Sequence, residues 1–597
     1  MAVKRSFKEA NQIIIHTEGE ICSTVQEVAR SSVFRGIVKL YVAKLKEQES
    51  PLLEVLVLEG SGSAEPESRL IAILDSLCAS PLEQVVSTIA EAGPLLDPAR
   101  RRALHEFVEG LYDFWRAFDR FMVLHSEPGP SSFEQRPYRA FNLTIEALTH
   151  TVRSLYRDVC ENITGNHPRI YRQVAAGCDV GLIAVPKECP LPAEYHECLS
   201  GVPFIRHVWI SPPMIIDPPM NTRTGQFQRV DHSPVDGLRL AQDQWLCYPA
   251  CVGPLTVNVY FHQGFIGLGC ALANLFELAS DEQIAAGADA VFLYGVPPES
   301  MWQFGELPTV FYDDEAAGLL VGAVPREDRF GYFGYLKKMM LTLHNIVMMK
   351  RGLLPFHGAM VHVALKSDHE ANVLIVGDTA AGKSESLEAF RSLGRGHIRE
   401  LRVIADDMGS LRVADDGRVL GYGTEIGAFI RLDDLQPGYA FDQVDRAIIM
   451  SPQKVNARVV LPVTTLDDVL RGYPVDYVLY ANNYEQVDDD HPIVERLEPV
   501  EHALAVFRDG ASMAKGTTTA IGLGHSYFAN IFGPPQYKDL HEPLAQAVFG
   551  AAFAAGVFVG QLRTRLGIPG YESLGPREAA EALFRMIAEG GGHGGVA

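Results

Sequence analysis

The chain has 597 residues, 47% of them hydrophobic and 21% charged. That is the balance of a globular protein too long for one hydrophobic core, and roughly three or four domains are expected at this length. The formal net charge of −22 argues against a nucleic-acid backbone or an anionic membrane as the main partner, because both attract basic surfaces.

Residues 1–165 read as a mostly helical region. Leu104, Phe107, Val108, Leu111, Trp115, Phe118 and Met122 recur at helical spacing, as do Ile145, Leu148, Val152, Leu155 and Val159. Pro128 to Ser132 separates the two runs. Such stripes form a core or a surface for a protein partner or a second copy of the chain, and no chemistry is assigned to them. Residues 166–330 read as a mixed α/β domain with strands at Leu255 to Tyr260 and Ala290 to Tyr294. Residues 331–590 read as a second α/β domain, which gathers the motifs. The glycine-rich tail after Glu589 reads as a flexible end.

No segment is long and apolar enough for a membrane-spanning helix, and the first ten residues lack the apolar stretch of a secretory signal. Nine cysteines without a C-x-x-C pair fit a reducing cytoplasm. Cys189, His196, Cys198, Cys247 and Cys251 are too irregularly spaced for a zinc site, and the cysteines read as buried thiols.

Gly377, Asp378, Thr379, Ala380, Ala381, Gly382, Lys383 and Ser384 satisfy G-x-x-x-x-G-K-[ST] in full. The β-branched run Val373 to Val376 precedes the loop, and Ser384 to Phe390 can continue as a helix. In such a loop the glycines let backbone N–H groups approach phosphate oxygens, and the helix points its positive end at the same anion. Lys383 is the charge for the β- and γ-phosphates of ATP, and Ser384 the hydroxyl for Mg²⁺. Val403 to Ala405 reads as a strand ending in Asp406 and Asp407, where a metal-binding carboxylate has to sit.

The residues around the loop resemble the phosphoenolpyruvate carboxykinases, chiefly the ATP-dependent branch, and the related HPr kinase fold. The resemblance covers roughly residues 330 to 545. Tyr332 to Lys338 is similar to the carboxykinase Y-x-G-E-M-K-K, Pro355 to Gly358 to its P-M-H-C, and Asp407 to the second aspartate of D-D-E-H-G. Asn456 to Val459 is similar to N-T-R-V, and Phe532 to Pro535 to the F-G-A-P segment. The resemblance implies a carboxykinase-like P-loop nucleotide-binding domain beside the mixed α/β and helical regions. It implies Mn²⁺ on Lys338, His357 and Asp407, and Mg²⁺ riding on the nucleotide with Ser384 and Asp406. Lys338, Lys383, Arg458 and Asp406 would be the catalytic residues, with Tyr332 and Arg223 on the side of the oxaloacetate or phosphoenolpyruvate. The implied reaction is decarboxylation of oxaloacetate to an enolate that attacks the γ-phosphate, a step of gluconeogenesis.

Departures point elsewhere. Gly377-Asp378 and Gly382-Lys383-Ser384-Glu385 look like the HPr kinase loop, as Val403 to Asp407 looks like that family's L-V-A-D-D. Tyr335 replaces the glutamate of Y-x-G-E, and Thr519 stands where ATP-dependent carboxykinases stack an arginine on adenine, so the base is open. Two alternatives therefore stand beside the carboxykinase: an HPr kinase-like phosphotransferase acting on a protein serine or another small acceptor, and an ATP-binding regulatory scaffold with little turnover.

Overall fold

The computed structural model describes the chain except residues 1–2, 10, 19–20, 59–64, 127–134, 171–173, 225, 307–308, 379–380, 395, 433–434, 436–442, 514–521 and 591–597. The Pro128 to Ser132 break, Thr519 and the tail after Gly590 lie outside the described residues. The architecture is mixed α/β with several sheets. The chain divides into two compact units, Met1–Pro186 with Ile205–Ser211, and Lys187–Phe204 with Pro212–Ala597. Among the described residues no helix is long and apolar enough to cross a membrane.

In the first unit, strands β1 (Val3–Glu9), β2 (Gln12–Thr17), β3 (Asp119–His125) and β4 (Val180–Val185) are neighbours in that order. β2, β3 and β4 pair in parallel, and Phe121, Met122 and Val123 are all buried, as expected of a strand covered on both faces. Helices α1 (Ser32–Glu47), α2 (Pro66–Leu77), α3 (Pro98–Arg116) and α4 (Gln135–Thr164) share a core that includes Val38, Leu70, Ile73, Leu104 and Phe107. The helical stripe expected through Met122 stops short of it. α3 ends at Arg116, Phe118 lies in the connection, and Met122 belongs to β3. Arg120 makes this break. Its guanidinium donates to the carbonyls of Arg116 at 2.8 Å and Phe118 at 2.7 Å, which a continuing helix would have used, and pairs with Asp179 at 2.7 Å. The unit therefore runs past residue 165 to take in β4.

The second unit holds the motifs. Strands β5 (Met214–Ile216), β6 (Trp245–Val252), β7 (Leu255–His262), β8 (Ala290–Val296), β9 (Val310–Asp314) and β10 (Leu319–Pro325) precede helix α5 (Phe333–Lys350). β6 to β10 run in the order β6–β7–β8–β10–β9, and every residue of β7, β8 and β10 is buried. Next come β11 (Leu354–Leu365), β12 (Glu370–Val376), α6 (Lys383–Gly394), β13 (Ile398–Ala405), β14 (Met408–Val413), β15 (Val419–Gly423), β16 (Gly427–Arg431), β17 (Ile448–Met450), β18 (Arg458–Pro462) and β19 (Tyr477–Asn482). Helix α7 (Lys538–Ala554) and strand β20 (Phe558–Arg563) follow.

The largest sheet of this unit has β15–β14–β11–β12–β19–β20 as its middle strands, flanked by short edge strands at Tyr473–Pro474 and Val494–Arg496. Its axis is β11, twelve residues long and nearly all buried. One edge of β11 pairs with β12; the other pairs first with β14 and then with β13. A smaller sheet, β16–β18–β17–β5, joins segments more than two hundred residues apart, with β5 parallel to β17.

Candidate active site

β11 carries His357 between the two sequence motifs. On one side the Gly377 N–H donates to the His357 carbonyl at 3.0 Å; on the other the Gly358 N–H donates to the Asp407 carbonyl at 2.9 Å. Asp406 and Asp407 occupy the gap where β13 ends and β14 begins, across from His357. Gly358 is required at this junction, because a Cβ there would stand 2.5 Å from the Ile375 carbonyl oxygen of β12.

The glycine loop connects β12 to α6, whose first residue is Lys383. Gly382 has φ +93°, and a Cβ there would meet Thr564 Oγ1 at 2.7 Å. Thr564 Oγ1 also donates to the Ala381 carbonyl at 2.8 Å, tying the loop to the residue after β20. Lys383 is buried, and its Nζ donates to the carbonyls of Gly377 and Asp378, each at 2.8 Å. Thr379 and Ala380 lie outside the described residues, as does the side chain of Ser384.

Helix α5 brings in the lysines. Lys338 Nζ lies 2.7 Å from Asp407 Oδ2, and Lys337 Nζ lies 2.8 Å from the same oxygen and 3.3 Å from Glu425 Oε1. Lys337 is buried and Lys338 nearly so, with side chains 1% and 13% exposed. His357 Nε2 faces Asp407 Oδ1 at 3.0 Å. Its Nδ1–H donates to the Ala529 carbonyl at 2.6 Å, which leaves Nε2 for whatever lies between ring and carboxylate. Phe528 and Ala529, both at φ +51°, carry that carbonyl.

Burial sets the electrostatics. It draws Lys338 down to about 8, with the charges of Lys337 and Lys383 acting in the same direction and Asp407 opposing. It also lowers Lys337, but Asp407 and Glu425 outweigh it and hold that ammonium above its ordinary range. It pushes Asp406 up to about 6 and Glu425 to about 7 against the pull of Lys337. Asp407 resists burial and stays well below the usual carboxylate range, because Lys337, Lys338 and His357 all face it. His357 is lowered by burial and by Lys383 and Lys338.

The smaller sheet and α5 bring the remaining candidates near. Arg458 begins β18, half-buried, with its guanidinium 5.4 Å from the Phe429 ring and in electrostatic contact with Tyr332. Tyr332 is the N-cap residue of α5. Asn456 Nδ2 donates to the Asn221 carbonyl at 2.6 Å, which draws the segment holding Arg223 toward Arg458. Arg223 lies within electrostatic reach of Tyr335, Tyr332 and Asp378, and its guanidinium is 5.2 Å from the Phe532 ring. Lys338 Nζ sits 4.6 Å from the same ring, and His357 meets it edge-on at 5.8 Å.

Lys337, Lys338 and His357 thus converge on Asp407, with Glu425 and Phe532 beside them. Sequence reasoning missed Glu425, the Ala529 carbonyl and the central position of Phe532. The only signal for Glu425 is a charge inside the glycine-rich run Gly421 to Gly427. All nine cysteines are free; Cys198, Cys247 and Cys251 lie in one apolar core, and Cys189 Sγ accepts from Asn258 Nδ2 at 3.2 Å. No protein-family model matches this sequence, and no curated protein matches it.

Proposed function

We propose that this site transfers a phosphoryl group between ATP and a small anionic acceptor, as a phosphoenolpyruvate carboxykinase does: oxaloacetate and ATP give phosphoenolpyruvate, ADP and carbon dioxide. The observation that carries the reading is the meeting of Lys338 and His357 on Asp407, at 2.7 and 3.0 Å, beside the glycine loop.

The donor set fits a metal. With Nδ1–H committed to Ala529, the neutral His357 ring turns a lone pair toward a carboxylate, and a cation between the two removes that repulsion. Lys338 has to be neutral to ligate, and it is the lysine that its surroundings draw down. Two nitrogens and an oxygen suit Mn²⁺ better than the harder Mg²⁺. Mn²⁺ held by Lys338, His357 and Asp407 would supply Lewis-acid charge at the acceptor oxygen. Asp406, with Ser384 of the loop motif, is the corresponding choice for the Mg²⁺ that accompanies the nucleotide.

The chain's own groups do the rest. Lys383 exchanges its two carbonyl partners for β- and γ-phosphate oxygens, so its charge is presented when nucleotide enters. Arg458 and Arg223 neutralise the transferring phosphoryl and the acceptor carboxylate, and Tyr332 orients the acceptor between them. Phe532 walls the site against water, which would otherwise take the phosphoryl group or protonate a carbanionic acceptor.

The loop residues Gly377-Asp378 and Gly382 to Glu385 favour a second reading, a kinase acting on a protein serine or other small acceptor. One assay separates the two. Purified protein with Mn²⁺, ADP, phosphoenolpyruvate and bicarbonate should form oxaloacetate. Intact ATP binding without carboxylation would exclude the carboxykinase. Phosphorylation of a serine acceptor would then support the kinase, and ATP binding with no turnover the scaffold.

A further inference from the structure

A separate cluster lies in the first unit, on the facing sides of α3 and α4. α3 presents His105 and Glu109, one turn apart on one face; α4 presents Tyr156 and Cys160 with the same spacing. His105 Nε2 is 3.6 Å from Glu109 Oε1, Cys160 Sγ is 3.7 Å from that oxygen, and the three ligand atoms all lie within 4.8 Å of one another. We propose that His105, Glu109 and Cys160 bind a zinc ion that ties α3 to α4.

The separations carry the argument. Zinc bonds of about 2.0 Å to nitrogen or oxygen and 2.3 Å to sulfur, at tetrahedral angles, put a nitrogen and an oxygen roughly 3.3 Å apart and an oxygen and a sulfur roughly 3.5 Å apart. The two separations, 3.6 Å between nitrogen and oxygen and 3.7 Å between oxygen and sulfur, each stand within a few tenths of an ångström of those values. At 3.6 Å the imidazole and carboxylate are in ion-pair range but too far apart for a direct hydrogen bond, so neither ligand atom is taken up by the other. A mixed nitrogen, oxygen and sulfur set suits zinc rather than Mg²⁺ or Ca²⁺.

The surroundings supply the outer support that metal ligands need. Tyr156 donates its hydroxyl to Glu109 Oε1 at 2.6 Å and stacks on Tyr112 with ring centroids 4.0 Å apart, fixing the carboxylate. Cys160 is buried, while His105 and Glu109 are partly exposed, so an ion from solvent can reach the cluster. Burial and the charge of Glu109 hold the Cys160 thiol protonated without metal. Zinc binding releases that proton to solvent as the Zn–S bond forms, so affinity rises with pH.

The test uses full-length protein stripped with a chelator and titrated with Co²⁺. One Co²⁺ per chain should produce a near-ultraviolet thiolate-to-cobalt charge-transfer band, and Zn²⁺ should displace it. Cys160→Ser should abolish the band, His105→Ala should weaken binding about tenfold or more, and Cys178→Ser should leave both unchanged. Circular dichroism checks that each variant is folded. No band in the wild type, or a band that survives Cys160→Ser, overturns the proposal. The Lys338–His357–Asp407 cluster contains no sulfur, so its success or failure does not affect this readout.

Discussion

Lys337 and Lys338 are neighbours of one residue type with opposite fates. Lys337 is enclosed between Asp407 and Glu425, whereas Lys338 reaches Asp407 over the Phe532 ring. Removing Lys337 leaves two buried acids short of a partner, so Lys337→Met should cost about 3 kcal/mol in urea denaturation. Lys338→Met leaves Asp407 its contact with Lys337; it should cost less than half as much stability while abolishing tight Mn²⁺ binding. Equal stability losses would contradict this division. Lys383→Met should lower phosphoryl transfer on the order of a thousandfold, read as the rate of ADP formation. At this scale the sequence exposed the residues that belong to motifs, since Lys383, His357 and Asp407 stand in patterned surroundings. Glu425 was illegible because its role depends on Lys337, 88 positions earlier, and no local period reports a long-range ion pair.

The element that makes the site is β11. Its backbone bonds to Gly377 and Asp407 fix both motifs relative to His357, and Gly358 allows β12 to approach. Gly358→Ala should therefore disturb the β11–β12 register, destabilise the protein by roughly 1 to 3 kcal/mol and weaken ATP binding. Gly396→Ala, where a Cβ meets nothing within 4 Å, should change neither. Thermal melts and nucleotide titrations read the comparison. The runs Leu255 to Tyr260, Ala290 to Tyr294 and Val373 to Val376 are strands as their β-branched and aromatic residues imply. Two features escaped local reading. The chain re-enters a strand at Met408 directly after the acidic pair, and Arg120 ends the α3 stripe by taking its carbonyls. Both are decided by partners far along the chain.

Across the whole molecule, burial holds His262, His344 and His541 down to about 4. An unfolded histidine titrates near 6.5. Between those values the unfolded chain binds more protons than the folded one, so stability falls as pH drops from about 6.5 to 4. Each histidine can cost up to about 3 kcal/mol over that window. His344→Leu should make the fall in melting temperature visibly shallower; an unchanged slope would contradict the burial argument. The partition of the chain was not legible, because residues 187–204 join the second unit while 205–211 belong to the first. Such a crossing is set by strand pairing and leaves no mark in composition.

On the proposed reading, Lys338, His357 and Asp407 form a cation site beside a phosphate-binding loop. Electron paramagnetic resonance of Mn²⁺ titrated into the full-length protein tests it most directly. One tightly bound ion per chain is expected without nucleotide, lost in folded His357→Gln and Asp407→Asn variants and retained in Lys383→Met. Equal Mn²⁺ binding by the wild type and the two ligand variants would contradict it.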